Sequence, residues 1–81
     1  APIYFYRDHN GREIDLLIEE NFTLYPIEIK RASKITTGDV KNFKMLDDIK
    51  NVKRGLGAAI CLSSEMFPLD REVSVMPISQ I

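Results

Sequence analysis

The stretch REIDLLIEENFTLYPIEIKRA, residues 12–32, decides the fold. Two runs rich in Ile, Leu and Tyr flank Glu20-Asn21-Phe22-Thr23, which reads as a short turn between two strands, over residues 12–19 and through residue 31. Glu13, Asp15, Glu28 and Lys30 interrupt these runs, and a charge inside a sheet is costly unless paired or hydrogen-bonded. Side chains alternate along a strand. Ile14, Leu16 and Ile18 therefore share one face and Glu13, Asp15 and Leu17 the other; on the next strand Tyr25, Ile27 and Ile29 lie opposite Pro26, Glu28 and Lys30. Matching the apolar faces sets Ile14 against Ile29, Leu16 against Ile27, Asp15 against Glu28 and Glu13 against Lys30. Directly opposed side chains have Cβ atoms about 4.5–5.5 Å apart, so the four charges form one patch.

Asp15 beside Glu28 is the informative pair, because like charges directly opposed destabilise a sheet. A shared proton, a cation or Lys30 leaning between them would compensate. Two carboxylates at this separation suit Mg²⁺ or Mn²⁺, which take oxygen ligands and keep several waters, and the Ile29 backbone carbonyl is a natural further ligand. The plainer alternative is a cross-strand ion pair between Glu13 and Lys30, with Asp15 and Glu28 solvated on an exposed face.

Outward from this hairpin, residues 3–7 predict a strand, and Asp8-His9-Asn10-Gly11 supplies the turn chemistry that joins it to residue 12. Residues 33–38 are a polar connection. Thr36 or Thr37 caps a helix over 39–50, with Asp39 favourable in its first turn and Val40, Phe43, Leu46 and Ile49 along its inner stripe. The nearly all-apolar run 56–62 suits a strand buried on both faces and parallel to the third strand. A loop from Ser63 to Arg71 precedes a last strand over 73–78, which Pro77 places at an edge. The order βββαββ defines a single α/β domain on a mixed sheet.

The chain has 81 residues, enough for one small core that hides roughly 60–65% of the unfolded surface. No apolar run approaches the ~20 residues needed to cross a bilayer, which argues against a membrane partner. Cys61 is the only cysteine, so no disulfide forms within the chain, and its apolar neighbours suit a buried thiol in a reducing, cytoplasmic setting. The net charge of −1 does not advertise nucleic-acid binding, although carboxylates that hold a divalent metal lose their repulsion for phosphate. The chain opens on a strand pattern without Met, as expected for a piece of a longer protein.

Asp15, a turn, and then Glu28-Ile29-Lys30 resemble the motif of the PD-(D/E)xK nuclease superfamily, with its restriction-endonuclease-like fold. The wording FYRDHNGREIDLLIEE followed by LYPIEIKRA and a helix is similar, more specifically, to the nuclease-like C-terminal domain of prokaryotic AAA-type ATPases, a domain of unknown function. Two features depart from the superfamily: its core order αβββαβ loses the first helix here, and Ile14 precedes Asp15 where Pro is usual. No G-x-x-x-x-G-K-[ST] occurs, so ATP would belong to an N-terminal ATPase part outside these residues. The resemblance implies metal ligation by Asp15 and Glu28, with Lys30 orienting the attacking water or stabilising the phosphate, and Glu13 as an auxiliary acid. The implied chemistry is metal-assisted hydrolysis of DNA phosphodiesters. An inactive module that keeps the fold and binds DNA or protein for its ATPase is the alternative.

Tyr4 and Tyr6 fall by parity on the face of Glu13 and Asp15, where they would pack beside the site or stack on a base. Lys34, Lys41 and Lys44 are candidate phosphate contacts, or simply part of a solvated helix face. Without a first helix, one face of the sheet should expose Ile and Leu, which predicts self-association.

Overall fold

The computed structural model describes residues 2–62 and 65–78. Strands β1 (Ile3–Arg7), β2 (Glu13–Glu20) and β3 (Thr23–Ile29) form an antiparallel meander; a helix (Thr37–Asp48) follows. Next come β4 (Lys53–Arg54), β5 (Gly57–Cys61), β6 (Phe67–Pro68) and β7 (Val73–Pro77). The mixed seven-stranded sheet runs β1-β2-β3-β5-β7-β6, with β4 continuing alongside β3. The predicted order is therefore present with two added two-residue strands. Both β5 and β7 run parallel to their neighbours on the β3 side. Ser63, where the second loop was placed, lies outside the described residues.

Pro77 does not mark an edge. β7 lies between β5 and β6, and β6 covers only Val75 and Ser74, so Pro77 sits opposite Cys61 beyond the reach of that short strand. Pro26 occupies the middle of a central strand for a similar reason. Ile29 N–H points toward β2 and Lys30 N–H donates to Ile60 on β5, so by alternation the Pro26 nitrogen faces the β4/β5 side. There it falls between the stretch paired with β4 and the stretch paired with β5, where no ladder bond is lost.

The predicted pairing of Leu16 with Ile27 is observed. Strict alternation fails in β2, however. Between Tyr4↔Leu17 and Tyr6↔Ile14, β1 advances two residues while β2 advances three. A bulge of this kind lets residues three apart face the same way, and Ile14 and Leu17 are both buried. Ile14 therefore turns to the core, on the face of Leu24, Pro26 and Glu28, and does not oppose the exposed Ile29. Glu13, next to Ile14 and paired with Arg7, lies on the other face, away from the position that strict alternation gave it.

The helix packs on the core face. It is of the 3₁₀ type throughout, longer than such helices usually run. Its apolar residues Val40, Phe43, Leu46 and Ile49 recur every three positions and so line up when three residues make a turn. They meet Leu17, Leu24, Ala59, Val73 and Val75 in one core. The opposite sheet face carries the rows Ile3–Ile18–Tyr25, Leu16–Ile27–Ala58–Ser74 and Ile29–Ile60–Met76, with the charged row Glu20–Thr23–Lys53 beside the first of them. Ile3, Tyr25 and Ile29 are exposed there. No helix among the described residues is long and apolar enough to cross a membrane.

Both hairpin turns follow from their residues. The Asp8 carboxylate accepts from the N–H groups of Asn10 and Arg12, while Gly11 supplies φ +80°. At the second turn Asn21 and Phe22 both adopt left-handed conformations, φ 53° and 61°, as a two-residue hairpin of this hand requires.

Candidate active site

The β2–β3 ladder ends at Leu16↔Ile27, just short of the charges. One residue further, the Asp15 side chain replaces a backbone acceptor: its Oδ2 takes the Ile29 N–H at 2.8 Å. Because N–H and C=O of one strand residue point the same way, the Ile29 carbonyl also faces the Asp15 side. The helix secures this corner, since the Asn42 side-chain amide donates to the Glu13 carbonyl at 3.0 Å.

Glu28 lies on the core face, in line with Leu24 and Pro26, and is half-buried. Burial, followed by the charges of Asp15, Asp39 and Glu13, pushes its carboxyl up to about 7, against a smaller lowering by Lys30. Glu28 is therefore surrounded by more negative than positive charge. Lys30 is committed elsewhere. Its Nζ donates to both Asp39 oxygens, at 2.9 and 2.8 Å, and not to Glu13, the partner that register had suggested. Glu13 instead pairs across the β1–β2 ladder with Arg7. The ion-paired hairpin of the plainer alternative is thus absent.

Asp39 is the residue that the sequence reading placed but did not connect to the site. Its Oδ2 also accepts the Thr36 N–H at 2.8 Å, and its own N–H donates to the Thr36 carbonyl. The bond to Lys30, above all, holds its carboxyl below the usual range. Its signal in the sequence was Thr36-x-x-Asp39, a cap residue with an acid three positions later. Asn42 carried no signal at all.

The remaining candidates lie apart. Tyr4 faces Leu17 and donates to Glu19 Oε1 at 2.9 Å, toward the far end of β2; Tyr6 is half-buried against the core. Lys34, Lys41 and Lys44 are exposed. Lys41 and Lys44 border a cleft of about 340 Å³ shared with Arg54, Asp70 and Glu72, and Arg54 bridges Asp47 at 3.1 Å and Glu72 at 3.2 Å.

Asp15, Glu28 and the Ile29 carbonyl are the oxygen donors that could hold a divalent ion. Among the described residues no three His, Cys, Asp or Glu side chains converge as a ready ligand cage. Asp15, Glu28 and the Ile29 carbonyl leave most coordination positions to water or phosphate, which is how Mg²⁺ is usually held. The surplus of acids about Glu28 fits the charge of such an ion.

Fold and site together define a small mixed α/β domain with an acid–lysine cluster where two strands part beneath a helix. The chain belongs to a family described as a domain of unknown function, DUF4143, whose family model matches residues 1–81. No curated protein and no solved structure gives a match to it.

Proposed function

We propose that this is a metal-dependent DNA phosphodiester hydrolase domain, of restriction-endonuclease-like fold, working with an AAA-type ATPase part of a longer chain. The observation that carries this reading is Glu28. A half-buried carboxyl pushed up to about 7, first by burial and then by the charges of Asp15, Asp39 and Glu13, sits among acids that would favour a cation. The Glu28-Ile29-Lys30 spacing puts an ammonium group at its margin.

A bound Mg²⁺ or Mn²⁺ supplies a water of lowered pKa and offsets charge on the phosphoryl oxygens. Asp15 and Glu28 hold the ion and so fix where the phosphate stands. Asp15 is itself held by the Ile29 N–H, which keeps one carboxylate oxygen in place while the other is free to ligate. Lys30, paired with Asp39, stabilises the phosphate as a point charge rather than acting as a base. Glu13 contributes charge to the cluster.

Titration calorimetry with Mn²⁺ tests the site: binding to the native protein, abolished in Asp15→Ala, supports it. Hydrolysis of plasmid or branched DNA by the full-length protein, lost in Lys30→Ala, supports the activity. An accessory module that binds DNA or protein without cleaving is favoured by the acidic sequence pI of about 5.8. It predicts Mn²⁺ or DNA binding with no cleavage. The exposed Ile3, Tyr25 and Ile29 on the sheet face opposite the helix further support self-association of the domain.

A further inference from the structure

The sequence motif names Lys30 but not what keeps its ammonium group in place. A lysine side chain has four rotatable bonds, and the bond from the Lys30 N–H to the Ile60 carbonyl fixes only its backbone. Yet its Nζ stands at 2.9 and 2.8 Å from the two oxygens of one carboxylate. That carboxylate is fixed in turn: Asp39 Oδ2 accepts the Thr36 N–H at 2.8 Å and the Thr36 hydroxyl at 3.2 Å. The backbone closes the same ring, because Asp39 N–H donates to the Thr36 carbonyl at 3.0 Å. The helix that delivers Asp39 is anchored by buried Val40 and Phe43 immediately beyond it.

We propose that Asp39 is the positioning residue of Lys30, holding two of the three ammonium protons so that the third is offered to a phosphodiester oxygen at the Asp15–Glu28 corner. The proposal rests on the hydrolase reading. Both partners are only partly exposed, 38% and 23% at the side chain, so the pair is neither a fully solvated surface contact nor a sealed one. One ammonium proton therefore remains open to a substrate. Asp39 does not touch the phosphate. It spares the lysine the entropy of being ordered when substrate arrives.

The variant to make is Asp39→Asn in the full-length protein. An amide oxygen can still accept the Thr36 N–H, so the helix start survives, while the charge that holds Lys30 is lost. The expected result is a kcat lower by about 10- to 100-fold with KM for DNA and the Mn²⁺ Kd within about twofold of native, as for a group whose geometry matters in the transition state. Asp48→Asn, which removes an exposed carboxylate from the same helix, leaves kcat unchanged. In a Lys30→Ala background, Asp39→Asn adds nothing further, because its effect passes through the lysine. Full additivity of the two substitutions overturns the proposal and leaves the hydrolase reading standing.

Absence of hydrolysis by the native protein overturns that reading and the catalytic role with it. The placement of Lys30 is then decided by its ¹⁵N ammonium resonance. A signal protected from exchange in the native protein and lost in Asp39→Asn supports the tether; the same signal in both refutes it.

Discussion

The carboxylate of Asp15 does the work of a backbone carbonyl, accepting the Ile29 N–H at 2.8 Å where the β2–β3 ladder has ended. Asp15→Ala leaves that N–H without its partner and should destabilise the domain by about 1–3 kcal/mol, with Asp15→Asn costing less because an amide oxygen remains. Urea unfolding of the three proteins checks the order. Equal stability of all three would contradict the bond.

Glu28 makes stability depend on pH in a direction unusual for an acid. Its carboxyl titrates near 7 in the folded chain and near 4.5 when unfolded, so between those values the folded state holds the extra proton. The metal-free domain is therefore more stable at pH 5 than at pH 7.5, by ~1–2 kcal/mol once solvent screening at this half-exposed group is allowed for. Glu28→Gln removes that slope. Thermal melts across this range read both effects, and Mn²⁺ affinity should rise as pH passes 7 because the ion displaces the proton.

Gly57 marks the tightest approach between the helix and the sheet. A Cβ there would lie 2.7 Å from Phe43 Cε2 and 3.2 Å from the Pro26 carbonyl oxygen. Phe43 is buried and the carbonyl belongs to a central strand, so neither yields freely. Gly57→Ala should cost about 1–3 kcal/mol through overpacking, measured as a lowered urea midpoint. Gly38→Ala, whose Cβ meets only Thr36 Oγ1 at 3.6 Å, serves as the benign comparison.

The apolar rows on the sheet face opposite the helix yield a prediction of their own. Sedimentation should detect concentration-dependent association of the domain. Tyr25→Lys and Ile3→Lys, at the two ends of one cross-strand row of that face, should shift it toward monomer without loss of fold, as judged by circular dichroism. Monomer at every concentration in the native domain removes self-association from the reading.

Much of this architecture was legible in the chain. The two hairpin turns carry Asn and Gly where left-handed or tight backbone is needed, and the opposed apolar positions set the register of Leu16 on Ile27, although the face they share is the half-exposed one and not the core. The stripe at 40, 43, 46 and 49 announced a helix, although not that its spacing of three belonged to a 3₁₀ helix. The bulge in β2 was hidden because alternation has no signature for one inserted residue, and this is why Leu17 was grouped with the charges although it is buried.

Local spacing alone determined the meander of β1, β2 and β3 and the opposition of Leu16 to Ile27, since each follows from a period of two and a short turn. Only tertiary structure could choose the partner of Lys30. The hairpin register offered it Glu13, but that acid pairs with Arg7 on β1, and the helix brought Asp39 across the end of the sheet. An ammonium group goes to the carboxylate held nearest in space, and which one is nearest depends on how separately formed elements pack.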